Sequence, residues 1–414
     1  MARKMKDSGI EWIGEIPEGW ELRKGKSLYR VTTGKLDANA ENPDGDYPFF
    51  TCSMAPKRIN SYSFDCEALL VAGNGLVGFT QYYKGKFDAY QRTYVLSDFR
   101  NVLPSFLRYY VSVGLPMEVQ PKSIGSVIQF IKLGDLLNFN ITLPSIEQQT
   151  IISNYLEFKI IQIDAILSKT RSSIEEYKKL KQAVITQAVT KGVRGEREMK
   201  DSGIDYIGQI PAKWVLGKLR NVGDTQNGIS KSSEFFGKGF PFVSYSDVYK
   251  NYSLPFAVSG LVESTPEEQE RYSVKEGDIF FTRTSETIEE VGFSCVCEKD
   301  IPNATFAGFL IRVRPFSDKL HTPYAKYYFR STHLRFYLVK EMNLVTRASL
   351  GQSLLKSMPV LLPPLEEQKE IADYLDAKCA EIDRLIAKKE QLVKELESYK
   401  KSLIYEVVTG KREV

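Results

Sequence analysis

Several groupings of residue types in this 414-residue sequence have the makings of a reactive site, and each fails on spacing. Gly25-Lys26-Ser27 has the ending of a phosphate-binding loop, whose backbone amides and lysine cradle an anion, but the loop's first glycine would fall at position 20, which is Trp20. The glycine-rich stretch Phe236-Gly-Lys-Gly239 is not followed by a convincing helix and reads as a turn. Cys295 and Cys297 bracket a valine like half of a metal site, yet no second pair exists and the only histidines are His321 and His333. Alternation along a strand explains the two thiols better, and the histidines are too far apart for a helical zinc pair. Asp65-Cys66-Glu67 lacks the lysine two residues on that would make it nuclease-like. The Asp/Asn-Pro-Pro-aromatic sequence of adenine methyltransferases is absent. The expectation is a chain with no catalytic residue and no bound metal or cofactor of its own.

Composition narrows the class further. With 56 basic and 52 acidic residues the net charge is only +4, so any binding to a polyanion must come from local patches. The 43% hydrophobic and 12% aromatic content supports real cores, and the length suits two domains with connecting structure. No apolar run approaches the roughly 18 residues of a membrane span. The start, MARKMKDSG, lacks the apolar core of a secretion signal. Five cysteines make no disulfide framework, and the chain reads as cytoplasmic.

What must position any binding residues is an internal duplication. MKDSGIEWIGEIP from Met5 and MKDSGIDYIGQIP from Met199 share 10 of 13 residues at an offset of 194. Trp20 with Trp214, Leu22 with Leu216 and Lys24 with Lys218 extend the match. LPSIEQQTIISNYL from Leu143 matches LPPLEEQKEIADYL from Leu362 at an offset of 219, so the second interior is longer by 25 residues. Inside, Glu67 to Gly78 weakly parallels Asp278 to Gly292: an acid, an apolar strand, a polar turn and a glycine. The linker Ala188 to Gly203 also resembles the C-terminal VVTGKREV followed by the N-terminal MARKMKDSG. That circularity predicts a pseudo-two-fold molecule whose two termini lie together.

A long helix should follow each LP signature. Ile371, Leu375, Lys378, Ile382, Leu385, Lys389, Leu392, Leu396, Tyr399, Leu403 and Val407 form a coiled-coil stripe. Ile152, Leu156, Ile163, Leu167, Ile174, Tyr177, Val184 and Ala188 repeat it in the first copy. Ser145 with Gln148 reads as a capping box, and Pro363-Pro364 marks the second start. Some 43 residues would make a rod of about 65 Å. Lys378 and Lys389 are costly in a sealed seam and predict imperfect packing or an acid nearby.

The expected fold class is α/β: two globular α/β domains separated by two long antiparallel helices, with an internal pseudo-two-fold repeat. The expected partition is 1–144 for the first domain, 145–190 for the first helix, 191–363 for the linker and second domain, and 364–414 for the second helix. Strand-like runs include Ala68 to Ala72, Tyr94 to Leu96, Ile279 to Thr282 and Phe309 to Val313, with short helices at Pro104 to Gly114 and Pro323 to Met342.

This layout resembles the specificity subunits of type I restriction-modification systems. The resemblance covers essentially the whole chain. It rests on Ile13, Ile16, Pro17, Trp20 and Ile207, Ile210, Pro211, Trp214 before the interiors, and on Leu143, Pro144, Glu147, Gln149 and Leu362, Pro363, Glu366, Gln368 after them. It implies a DNA-binding, non-catalytic subunit in which each interior is a target-recognition domain for one half of a bipartite, asymmetric site. It also implies helices that set the spacer and dock two methyltransferase subunits at the Pro144, Glu147, Gln149 and Pro363, Glu366, Gln368 motifs. A restriction and translocase subunit would join, and S-adenosylmethionine, ATP and magnesium would belong to those partners.

Arginine suits guanine, and asparagine or glutamine suits adenine. Polar turns after strand-like runs therefore nominate Lys57, Arg58, Asn74, Gln91, Arg92 and Lys122 in the first domain. Tyr245, Ser246, Lys250, Arg283, Thr284, Ser285 and Arg347 are the nominees in the second, with Arg92 and Arg283 foremost. Tyr82, Tyr83 and Tyr90 read as core or interface aromatics. Three other readings stay open: an orphan or decoy specificity subunit, a coiled-coil scaffold with two protein-binding heads, and an enzyme with an unfamiliar site.

Overall fold

The computed structural model describes residues 3–119, 130–285, 291–341 and 348–414. The chain forms two compact units, Met1–Arg171 with Glu390–Val414, and Ser172–Lys389. The limits of these units cut across the two long helices, so each unit holds one globular domain and half of each helix. The sequence boundaries at 144, 190 and 363 mark changes of element rather than limits of compact packing.

The first unit is built on a six-stranded sheet in the order Arg30–Thr33, Thr93–Ser97, Phe64–Ala72, Thr80–Ala89, Tyr47–Phe50, Lys57–Ile59. All neighbours are antiparallel except Tyr47–Phe50 with Thr80–Ala89. The central strand is apolar on both faces, and alternation sorts its side chains. Leu69 and Val71 pack with Phe106, Leu107 and Tyr110 of the helix Pro104–Val119, while Ala68 and Leu70 pack with Phe50, Phe87 and Val95.

The second unit divides the same job between a four-stranded sheet and a three-stranded one. The first runs Gly223–Asn227, Leu310–Pro315, Ile279–Thr282, Ser294–Val296, and the second Gly260–Val262, Phe236–Val243, Thr305–Phe306. Ile279 and Phe281 again join one core and Phe280 the other. Cys295 and Cys297 fall in the same core, as alternation predicts, and burial pushes the Cys297 thiol up to about 12. No group of His, Cys, Asp or Glu suited to a metal occurs among the described residues. The helix expected from Pro323 is two, Thr322–Tyr328 and Thr332–Glu341, split where Ser331 Oγ bonds back to Tyr328.

The border motifs fasten each domain to its helix by the same bonds. Tyr110 donates to Asn140 O (3.2 Å) and accepts from Thr142 N (3.0 Å). Its counterpart Tyr328 does the same with Pro359 O (3.1 Å) and Leu361 N (2.9 Å). Gln149 and Gln368, both buried, each spend their whole amide inside. Gln149 accepts from Leu103 N and donates to Asn101 O and Pro144 O; Gln368 accepts from His321 N and donates to Lys319 O and Pro363 O.

The long helices run Ile146–Lys191 and Leu365–Val408. Within each unit their halves pack antiparallel. Arg171 pairs with Glu397 and Lys400 with Asp164 in the first unit; Lys181 pairs with Asp383 in the second, where Lys389 lies 5.7 Å over Tyr177. The buried stripe differs from the expected one in the second helix. Cys379 is buried where Lys378 was expected, and Lys378 sits outside on Glu381. Val393 replaces Leu392, and Lys400 replaces Tyr399. Each buried position is displaced by one residue because periodicity does not fix how the facing helix meets this one, and Lys400 can take its place because its alkyl stem covers the seam while its ammonium reaches Asp164 on the other helix.

The termini meet as circularity predicts. Lys411 Nζ donates to Glu15 O (3.3 Å), and Gly410 packs against Pro17 and Trp20. In the second unit the linker's Lys191 reaches Gln209 O, the residue equivalent to Glu15.

Candidate nucleic-acid interface

Both sheets end in the same backbone arrangement. In the first domain Gly73 N donates to Arg92 O (2.9 Å) and Ile131 N donates to Gly73 O (2.9 Å). In the second, Arg283 N donates to Phe309 O (2.9 Å) and Leu350 N donates to Arg283 O (2.7 Å). Strand register gives the same correspondence, since Ala72 pairs with Thr93 and Thr282 with Leu310. The sequence parallel between Glu67 to Gly78 and Asp278 to Gly292 was therefore one residue out of register. The next segment also repeats: Tyr90 N donates to Phe50 O (2.9 Å), and Ala307 N to Val243 O (3.0 Å).

A glycine makes this rim possible in each domain. A Cβ on Gly34 would stand 1.7 Å from Ala89 O, and one on Gly228 2.2 Å from Ala307 O. The two glycines lie 194 residues apart, the offset of the N-terminal repeat, so the sequence held this signal.

The shared frame carries reciprocal side chains. At the two bonded positions the first domain has Gly73 and exposed Arg92, whereas the second has Arg283 and Phe309, which is 64% exposed. One arginine thus stands on each rim, on opposite strands of the pair. Neither guanidinium has a recorded partner among the described residues. A polar rim of fixed backbone with a free guanidinium can donate bidentately to an acceptor pair such as the guanine edge or a phosphate.

The other nominated residues divide into spent and available groups. Arg58 braces the turn at Gly45 O (2.9 Å) and Asp46 O (3.1 Å), Lys57 pairs with Glu41, and Gln91 donates to Asp37 Oδ1 (2.8 Å). Their functional groups are engaged inside the domain, which weakens the case for them as readers. Asn74 sits half-buried in the turn beside Gly73, next to exposed Leu76. Ser246 and Lys250 are exposed on the short helix Tyr245–Lys250 that follows Val243, and Tyr245 stacks on Tyr249 at 5.9 Å. Thr284 and Ser285 form the strand beside Arg283 that pairs with Ala348–Ser349. Lys122 and Arg347 lie outside the described residues, as does the side chain of Ser285. Phe309 was not singled out by sequence reasoning, and a lone phenylalanine offers no signal for it.

A buried ion pair closes the opposite end of the same two strands. Asp278 is fully buried and takes Arg314 bidentately, Nε to Oδ1 at 2.7 Å and Nη2 to Oδ2 at 2.6 Å. That hydrogen bonding raises the Arg314 guanidinium further above its ordinary value, while burial lowers neighbouring Arg312. Both are structural cations, in contrast to Arg283.

Of the helix-docking nominees, Gln149 and Gln368 are enclosed by the bonds given above, and Pro144 and Pro363 are buried too. Their work is to join domain to helix. Glu147 and Glu366 are exposed at the helix starts, with Glu366 3.0 Å from Lys369.

Comparison with known proteins fits the duplication of the domains. The family described as "Type I restriction modification DNA specificity domain" matches twice, over residues 17–176 and 211–396, and the chain belongs to that family. Its curated relatives are specificity subunits, and this chain is a DNA specificity subunit of the type I restriction-modification class. The chain is 26% identical over 388 residues to the type I restriction enzyme EcoDI specificity subunit of Escherichia coli, covering 90% of this chain and 84% of that protein. It is 25% identical over 412 residues to the MjaVIII specificity subunit of Methanocaldococcus jannaschii, covering 96% and 93%. In fold it resembles a chain from a structure of type I R-M complex assembly and conformational transition, with a TM-score of 0.72, 17% identity and coverage of 96% and 99%. The HsdS subunit from Thermoanaerobacter tengcongensis gives a TM-score of 0.50 at 17% identity, covering 96% and 98%. No helix among the described residues is long and apolar enough to cross a membrane.

Proposed function

We propose that each domain reads one half of a bipartite, asymmetric DNA site through its rim, with Arg92 and Arg283 as principal readers. The observation that carries this reading is the shared backbone frame with exchanged side chains: Gly73 and Arg92 in one domain, Arg283 and Phe309 in the other. A constant frame presents each side-chain set at a defined place, and different sets select different base edges. The long helices dock two methyltransferase subunits and set the spacer between half-sites. A restriction and translocase subunit completes the complex. Catalysis, with S-adenosylmethionine, ATP and magnesium, resides on those partners.

Long-read methylation mapping of the host genome with and without the gene tests the proposal. Loss of modified adenine at one bipartite motif is the expected result and defines both half-sites. An unchanged methylome would overturn it in favour of a decoy subunit or a scaffold.

A further inference from the structure

The junction where each long helix begins is chemically complete in the second unit and incomplete in the first. In the second unit Trp214 is fully buried and its Nε1 donates to Glu367 Oε2 at 3.0 Å. The same carboxylate pairs with Arg197, whose guanidinium lies 5.5 Å over the Trp214 ring. One turn on, Glu370 takes Arg194 through two bonds of 2.8 Å.

The first unit repeats the receiving half of this arrangement. Trp20 and Arg3 stand 194 residues before Trp214 and Arg197, and Arg3 lies 5.6 Å over the Trp20 ring. The acids are replaced. Gln148 and Ile151 stand 219 residues before Glu367 and Glu370. Trp20 is only 3% exposed, and its Nε1 has no acceptor among the described residues. Ile151, by contrast, is 47% exposed. Trp20, Arg3, Gln148 and Ile151 line one cavity of about 50 Å³ together with Arg412, Glu413 and Val414 of the C-terminal tail.

We propose that this cavity is a binding site for an acidic side chain of a protein partner. The incoming carboxylate accepts from Trp20 Nε1 and pairs with Arg3, as Glu367 does with Trp214 and Arg197, and an apolar neighbour on the partner covers Ile151. A buried indole N–H with no acceptor and an arginine with no ion pair among the described residues both favour an anion, and the second junction shows which anion the same geometry holds. The chain's own Glu413 makes no hydrogen bond to Trp20, and its neighbour Arg412 is 3.5 Å from Glu406. Because Glu367 fills the second junction, an acid-bearing partner would be accepted at the first and refused at the second. A repeat-symmetric subunit would thereby tell two copies of one partner apart. This inference does not depend on how DNA is read.

The test uses the full-length chain labelled with ¹⁵N on its tryptophans, of which there are 3, so that each indole N–H is seen separately by NMR. The Trp12→Phe and Trp20→Phe variants each identify one signal by its loss, and the third belongs to Trp214. The probe is an acetylated, amidated Glu-Leu dipeptide, with Gln-Leu as control. The expected result is a saturable downfield shift of the Trp20 signal with Glu-Leu alone, and none of the Trp214 signal. Gln148→Glu should produce that shift without the probe and weaken probe binding by at least about tenfold. Arg3→Gln should also weaken binding. Absence of any probe-induced shift overturns the proposal. So does a change of the Trp20 signal in unliganded Glu413→Gln, which would show that the chain's own tail occupies the site.

Discussion

Arg283→Ala separates recognition from folding more cleanly than any other substitution. The Arg283 backbone is tied at both ends of its peptide, through Phe309 O (2.9 Å) and Leu350 N (2.7 Å), so truncating the side chain leaves the rim's course intact. Its guanidinium holds no recorded partner among the described residues, and folding stability should change by no more than about 0.5 kcal/mol. A bidentate arginine to guanine contact discriminates by about 1–3 kcal/mol, and 1.4 kcal/mol is about tenfold, so affinity for the cognate site should fall roughly 5- to 150-fold. Preference at one base position should relax while the other half-site is read as before. Arg314→Ala supplies the contrast: it leaves the fully buried Asp278 carboxylate without its countercharge, holding only Lys275 N, and should cost about 3–5 kcal/mol of stability. Fluorescence anisotropy on the mapped duplex and single-base variants measures the first effect, and thermal unfolding measures the second. If Arg283→Ala folds normally and keeps both affinity and base preference, the assignment of the rim as the reading surface is wrong.

Other perturbations have equally definite outcomes. Arg58→Ala should leave base preference unchanged and lower stability slightly, because its guanidinium braces Gly45 O and Asp46 O, and binding and melting curves on the same variant check both. Gln368→Leu leaves His321 N, Lys319 O and Pro363 O without their partner and should destabilise by about 3 kcal/mol or more in denaturant titration. Burial lowers the His333 imidazole to about 3, so the unfolded chain binds a proton that the folded one refuses. Stability from this group is therefore full above about pH 6.5 and is lost as pH falls toward 3, at up to about 1.4 kcal/mol per pH unit. Subtracting the pH profile of His333→Gln from that of the parent isolates this contribution; identical profiles would contradict it. Tyr328→Phe should cost about 1–3 kcal/mol by stranding Leu361 N and Pro359 O, read as a lower unfolding midpoint.

Much of the architecture was legible because it depends on local pattern. Two near-identical borders imply two domains built alike, and sustained apolar spacing implies two long helices, since these signals lie between residues close in sequence. The seam was read with errors at Lys378, Leu392 and Tyr399, because periodicity gives a helix face but not the rotation at which the facing helix meets it. The candidate site was legible only in part. Arg92 and Arg283 could be nominated from polar turns after strands, yet nothing local distinguished them from Arg58, whose guanidinium is occupied by a turn 12 and 13 residues earlier.

The sequence by itself determined the duplication, the two helices, the missing catalytic patterns and the family to which these belong, since each is a property of order and spacing along the chain. Only the tertiary structure decided which polar side chains are free. It matched Gly73 with Arg283 and Arg92 with Phe309 across strands that pairing brings together. It also set Trp20 without an acceptor against Trp214 with one, a difference between one glutamine and one glutamate over a hundred residues from either indole. Whether a donor or charge is satisfied depends on groups distant in sequence, and those distances close only when the cores pack.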